Sequence, residues 1–157
     1  MKELLMATVL ALSPVQAPGT TVKVYFSTGN GFPGKVVAVK RIAPHSGVAR
    51  FAVEQLIKGP TAAEHRRGLR SELGKQIRGR SDCGADFSLT IKSGTATLRF
   101  CRTVWGNGVG GDARILRTID ATLKQFRSVK KVVTLDKKGR CLFDMSDAGT
   151  SCRTGHE

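Results

Sequence analysis

His45, His65 and His156, a scatter of carboxylates, four cysteines and a run of arginines are the residues of this chain whose types could do chemistry. A catalytic site needs a nucleophile, a base and an orienting group that converge. The three histidines lie far apart, and none has a Ser or Cys at a nucleophile's spacing. His65 stands beside Arg66 and Arg67 and reads as a surface residue. Glu54, Glu64 and Asp120 fall on helical segments, Asp82 and Asp86 precede a strand, and Asp144 and Asp147 lie near the C-terminus. Two carboxylates could meet in space for hydrolysis, but the spacing selects no pair. No catalytic residue is assigned, and a cell-wall-active hydrolase stands only as an alternative to a binding module.

Cys83, Cys101, Cys141 and Cys152 show no C-x-x-C spacing, and His156 is the one histidine near them in a ligand-like pattern, so no metal is expected. Three disulfide connectivities are open to four cysteines. Gly106-Asn107-Gly108-Val109-Gly110-Gly111 has the form G-x-G-x-x-G before a helix. The strand ahead of it belongs to an antiparallel hairpin, and Asp112 sits where a phosphate needs positive potential. The segment is therefore expected to be a flexible connection, and no cofactor is expected. Trp105, at its start, could lid the core or face a partner; packing is the expectation.

Arg66, Arg67, Arg70, Arg78 and Arg80 crowd one stretch, with Lys75, and Glu72 alone offsets them. They read either as a solvated loop or as a polyanion contact. The stretch has no aromatics for base stacking. The whole chain carries a net charge of +14 over 157 residues. In the cytosol this would suggest nucleic acid; in an exported protein it suggests anionic wall polymer or a lipid surface.

The elements that must position these residues follow from periodicity. Val22, Val24 and Phe26 alternate with polar neighbours as a half-buried strand. Val36 to Ile42 reads as a second, central strand, after a turn-rich loop from Ser27 to Gly34. Ala49, Ala52, Val53, Leu56 and Ile57 make one helical stripe, which Ser46 helps to start and Gly59-Pro60 ends. Thr61-Ala62-Ala63-Glu64 fits a capping box for a short helix stopped by Gly68. Phe87 to Phe100 folds as a hairpin about Ser93-Gly94, with Lys92 opposite Thr95, Ile91 opposite Ala96, Leu89 opposite Leu98 and Phe87 opposite Phe100. That register brings Cys101 beside Asp86, so Cys83–Cys101 and Cys141–Cys152 are the favoured pairs. Asp112 is expected to cap a second long helix striped by Ile115, Ile119, Leu123 and Phe126. A strand from Lys130 to Asp136 places Val133 and Leu135 on one face, and Arg140 to Phe143 returns along its edge. The order is β-β-α-(α)-β-β-α-β-(β), a single α+β domain with two main helices packed on one face of a mixed sheet.

Leu56, Gly59-Pro60, Glu64, Gly68-Leu69 and Ser71 are spaced as in the GerMN domain of bacterial sporulation, spore-germination and envelope proteins. Val24-Tyr25-Phe26, Thr122-Leu123-Lys124-Gln125-Phe126 and the Val129 to Asp136 strand extend the likeness in the same order. The chain thus resembles that family from about Thr21 to Met145. The resemblance implies an α/β architecture and a non-enzymatic role in assembly or interaction.

Lys2, the apolar run Leu4 to Leu12 and Ser13 to Ala17 resemble an export leader over residues 1–19, cleaved near Ala17 or Gly19. The run is shorter than the ~20 residues that cross a bilayer, and no Cys follows it as a lipidation site. The domain then covers 20–145, with a polar tail at 146–157. An even number of cysteines in an exported chain argues for two disulfides. The expected protein is an exported envelope module that meets an anionic wall polymer or an envelope protein, self-associates or both. Nucleic acid is expected only if the leader is not a leader.

Overall fold

The computed structural model describes residues 19–29, 34–44 and 46–143, together with Cys152. The leader, the middle of the first loop, His45, His156 and the rest of the tail lie outside the described residues.

Strand β1 (Thr20–Thr28) pairs antiparallel with β2 (Lys35–Ala43), with Val24 opposite Val39. Val22, Val24 and Phe26 are buried, so alternation along β1 points one face inward. It is β1, not β2, that is central. Its other edge pairs with β3 (Leu69–Arg70) through Ser27 and Thr28. The apolar run of β2 misleads because only Val39 and Ala43 of that strand are buried, and Ile42 is 65% exposed.

Helix α1 (Val48–Lys58) buries Ala52, Val53 and Leu56. Gly47, in the left-handed conformation, precedes its first turn, and Ser46 supplies no cap. Gly59 ends the helix with φ 88°, a conformation a β-carbon disfavours. The capping box forms at once: Thr61 accepts from the Glu64 N–H, and Glu64 accepts from the Thr61 N–H, starting α2 (Ala62–Arg66). Ser71 then donates to the Leu56 carbonyl at 2.9 Å, tying the strand back to the end of α1.

The basic stretch is structured rather than a loop. After β3 it forms α3 (Leu73–Gln76) and β4 (Ile77–Arg78), with Leu69, Leu73 and Ile77 as buried anchors. Strands β5 (Phe87–Lys92) and β6 (Thr95–Phe100) have the expected register. Positive φ at both Ser93 and Gly94 gives the tight turn that matches strand twist. Strand β7 (Thr103–Val104) pairs with β4.

Helix α4 (Gly108–Lys124) absorbs the glycine segment expected to be a connection, since Gly108 to Gly111 make its first turn. Asp112 is therefore not its N-cap. It lies inside the helix and accepts from the Asn107 N–H at 2.7 Å. Strand β8 (Lys131–Leu135) runs parallel to β6, with Val132 beside Ala96 and Thr134 beside Leu98. Because Ala96 and Leu98 face the core, so do Val132 and Thr134, while Val133 and Leu135 share the opposite face, as expected. The return at Cys141 is a single bridge to Leu135 rather than a strand.

The described strands thus form three sheets, β2-β1-β3, β4-β7 and the mixed β5-β6-β8. One apolar core joins them. Helices α1 and α4 pack against each other and on the inward face of β1. Where β3 stops covering β1, α4 takes over: Lys23 and Tyr25 donate their N–H groups to Gln125 Oε1 and Thr122 Oγ1 at 2.7 and 3.2 Å. The free edge of the central strand is thus satisfied by helix side chains.

Candidate anion-binding site

Arg66, Arg67, Arg70, Arg78 and Arg80 are all exposed. Their elements explain why: burying Leu69, Leu73 and Ile77 leaves the intervening cations outside. The structure arranges the five as two groups. Arg66 and Arg67 close α2, and the Arg70 guanidinium reaches back to the His65 carbonyl at 2.8 Å. Arg78 lies in β4, with its guanidinium 5.7 Å from the centre of the Trp105 ring. Arg80 follows, its carbonyl accepting from Lys137 Nζ at 2.8 Å. His65 is exposed, with its backbone rather than its imidazole engaged.

The electrostatics turn on where the acids are. Among the described residues every carboxylate has a partner, and it is never one of these five arginines. Glu54 pairs with Arg50, Glu64 with Arg41, Glu72 with Arg114, Asp82 with Arg99, Asp86 with Arg102, Asp120 with Lys124 and Asp136 with Arg140. Asp112 is held by the Asn107 N–H. Glu72 is thus drawn to the start of α4, where it also accepts from Asn107 Nδ2 at 3.3 Å, and leaves its arginine neighbours unbalanced.

Glu64 is the most constrained acid. It is buried, and both Arg41 terminal nitrogens donate to it, at 2.8 and 2.6 Å. Those bonds, helped by the Thr61 N–H and opposed by burial, hold its carboxyl down to about 2. The same contact raises Arg41. Asp82 is lowered chiefly by the Arg99 guanidinium. At Asp136 burial pushes upward, but donors from Arg140 and Lys138 outweigh it and the net shift is down.

Cys83 is bonded to Cys101 and Cys141 to Cys152, with Cα–Cα distances of 5.7 and 5.8 Å. Asp82, Cys83 and Cys101 bring ligand-type atoms within 4.8 Å of one another. With the two sulfurs bonded to each other, no thiolate is offered to a metal.

Trp105 departs from the expected packing: it is 57% exposed. Its backbone N–H donates to the Gln76 carbonyl at 2.9 Å at the end of the β4–β7 pair, and the ring lies against Arg78 instead of the core. Val109, in the first turn of α4, is 67% exposed. Sequence reading missed both as surface features. The signal available was an isolated Trp beside a glycine-rich segment and a basic stretch.

Residues 23–135 match the family model named Germane, described as sporulation and spore germination. No curated protein matches the chain. The tandem GerMN domains of the sporulation protein GerM from Bacillus subtilis superpose with a TM-score of 0.56 at 20% identity, covering 87% of this chain and 48% of that one. The chain therefore spans about half the length of that relative. The first GerMN domain of the same protein gives a TM-score of 0.49 at 22% identity over 74% of this chain and 82% of that one.

Proposed function

The chain belongs to the Germane family of sporulation and spore germination domains, and on that premise we propose that it is an exported, non-enzymatic envelope module that docks on an anionic wall polymer. The observation that carries this reading is the distribution of charge. Seven described carboxylates sit in ion pairs and the eighth accepts a backbone N–H, yet Arg66, Arg67, Arg70, Arg78 and Arg80 are exposed and pair with none of them. Such unbalanced cations attract a polyanion over distances of about a Debye length, ~10 Å at moderate salt.

The two disulfides support an oxidising compartment. There, wall polymer is a commoner polyanion than nucleic acid. The commitment of the described carboxylates to cations and N–H groups supports binding over hydrolysis, which needs a facing pair free to exchange protons.

The test is co-sedimentation with purified wall sacculi at low salt. Replacing Arg66, Arg67 and Arg70 with Gln in one variant, and Arg78 and Arg80 in another, is expected to weaken binding several-fold in each and to abolish it when all five are changed. Undiminished binding by the fivefold variant would show that these arginines are not the contact.

A further inference from the structure

We infer that the corner formed by Trp105, Val109 and Arg78 is a docking surface for an anionic lipid bilayer. The inference rests on the reading of the chain as an exported cationic module, and adds a second ligand at a surface that shares Arg78 with the proposed wall contact.

Trp105 and Val109 are 57% and 67% exposed, whereas among the described residues most large apolar side chains are buried or half-buried, Ile42 and Ile91 being the other exposed ones. They are four residues apart around the start of α4, so their backbones lie within about 14 Å whatever the local geometry. Both side chains are exposed, and the short segment between them keeps them in one region of the surface. The platform is fixed, since the Trp105 backbone is tied to Gln76 and Asn107 is bonded to Asp112. Arg78 lies against the indole, and Lys75 and Arg80 are exposed nearby in the sequence.

This composition favours lipid over sugar. Arg78 already covers part of the indole, which a sugar would need as an open stacking platform, and a glycan has no use for the exposed Val109. A bilayer interface uses every part. Indole rings settle at headgroup level, a small aliphatic side chain enters the acyl boundary, and cations gain from anionic headgroups. The surface is peripheral: among the described residues no helix is long and apolar enough to cross a membrane.

Trp105 is the single tryptophan of the chain, so its fluorescence reports on this corner alone. The oxidised full chain is titrated with vesicles of phosphatidylcholine and phosphatidylglycerol in equal parts, and with phosphatidylcholine alone. Acyl chains are brominated in a parallel set. Blue-shifted emission and bromine quenching are expected with the anionic vesicles only. Val109→Asn and Arg78→Gln, both at exposed positions, are each expected to weaken vesicle partition by about fivefold. Vesicle binding without bromine quenching, or quenching unaffected by Val109→Asn, would overturn the inference. So would a shift in Trp105 emission on soluble wall-glycan fragments that exceeds the shift on vesicles. Sacculus binding is scored separately. Its loss with quenching intact removes the wall reading alone, and the reverse removes the lipid contact alone.

Discussion

Glu64 shows how a single residue can be read correctly and still incompletely. Its place in a capping box follows from Thr61 three residues before it. Its second role, a two-pronged ion pair with Arg41 on β2, joins positions 23 apart and depends on a fold that no local spacing reveals. With its carboxyl held down to about 2 from an ordinary 4.5, Glu64 binds a proton more readily in the unfolded chain than in the folded one. Its contribution to stability is therefore complete above about 4.5 and is lost as pH falls from there through about 2. Urea unfolding followed across that window should show stability falling toward acid. Glu64→Gln, which leaves the half-buried Arg41 without its counter-charge, should cost about 1–3 kcal/mol at neutral pH and flatten the acid slope. An unchanged slope in the variant would assign the acid sensitivity to other carboxylates.

At the scale of elements, the sequence was most legible where a side-chain pattern is local. The β5–β6 register, the α1 stripe and the α2 cap all follow from short-range spacing, and the structure has each of them. What it could not disclose was which strand is central, which face of β8 is inward and where α4 begins, because long-range pairing decides all three. The family-like residues prove to be joints of the fold. Leu56 and Leu69 fill the core, Ser71 ties to Leu56, and Thr122 satisfies Tyr25 on the open edge of β1. Gly74 is a further joint that no pattern marked. A β-carbon there would collide with the Ile57 carbonyl oxygen and lie 3.3 Å from its carbon, both backbone atoms. Gly74→Ala should therefore force α3 away from α1 and lower stability by about 1–3 kcal/mol, despite the better helix propensity of Ala. A lower urea midpoint at unchanged slope is the expected result; a midpoint at or above the parent's would mean the two helices are not in such close contact.

For the whole molecule, the sequence gives the sum of charge and the structure its distribution. A net charge of +14 is visible in composition, and so was the crowding of arginines between residues 66 and 80. That the neighbouring acids are engaged elsewhere was not visible, since Glu64 is matched to Arg41 and Glu72 to Arg114 only through tertiary contacts. Nor was the exposure of Trp105, whose direction is set by the β4–β7 pair. The proposed wall contact rests on that distribution: the described carboxylates are engaged elsewhere while Arg66, Arg67, Arg70, Arg78 and Arg80 face outward. The most direct measurement is co-sedimentation of the oxidised protein with purified wall sacculi across a salt series. Binding at low salt that weakens steeply as salt rises is predicted, because exposed charges are screened. Absence of binding at low salt would contradict the account and turn attention to a protein partner or self-association, with the positive charge serving solubility alone.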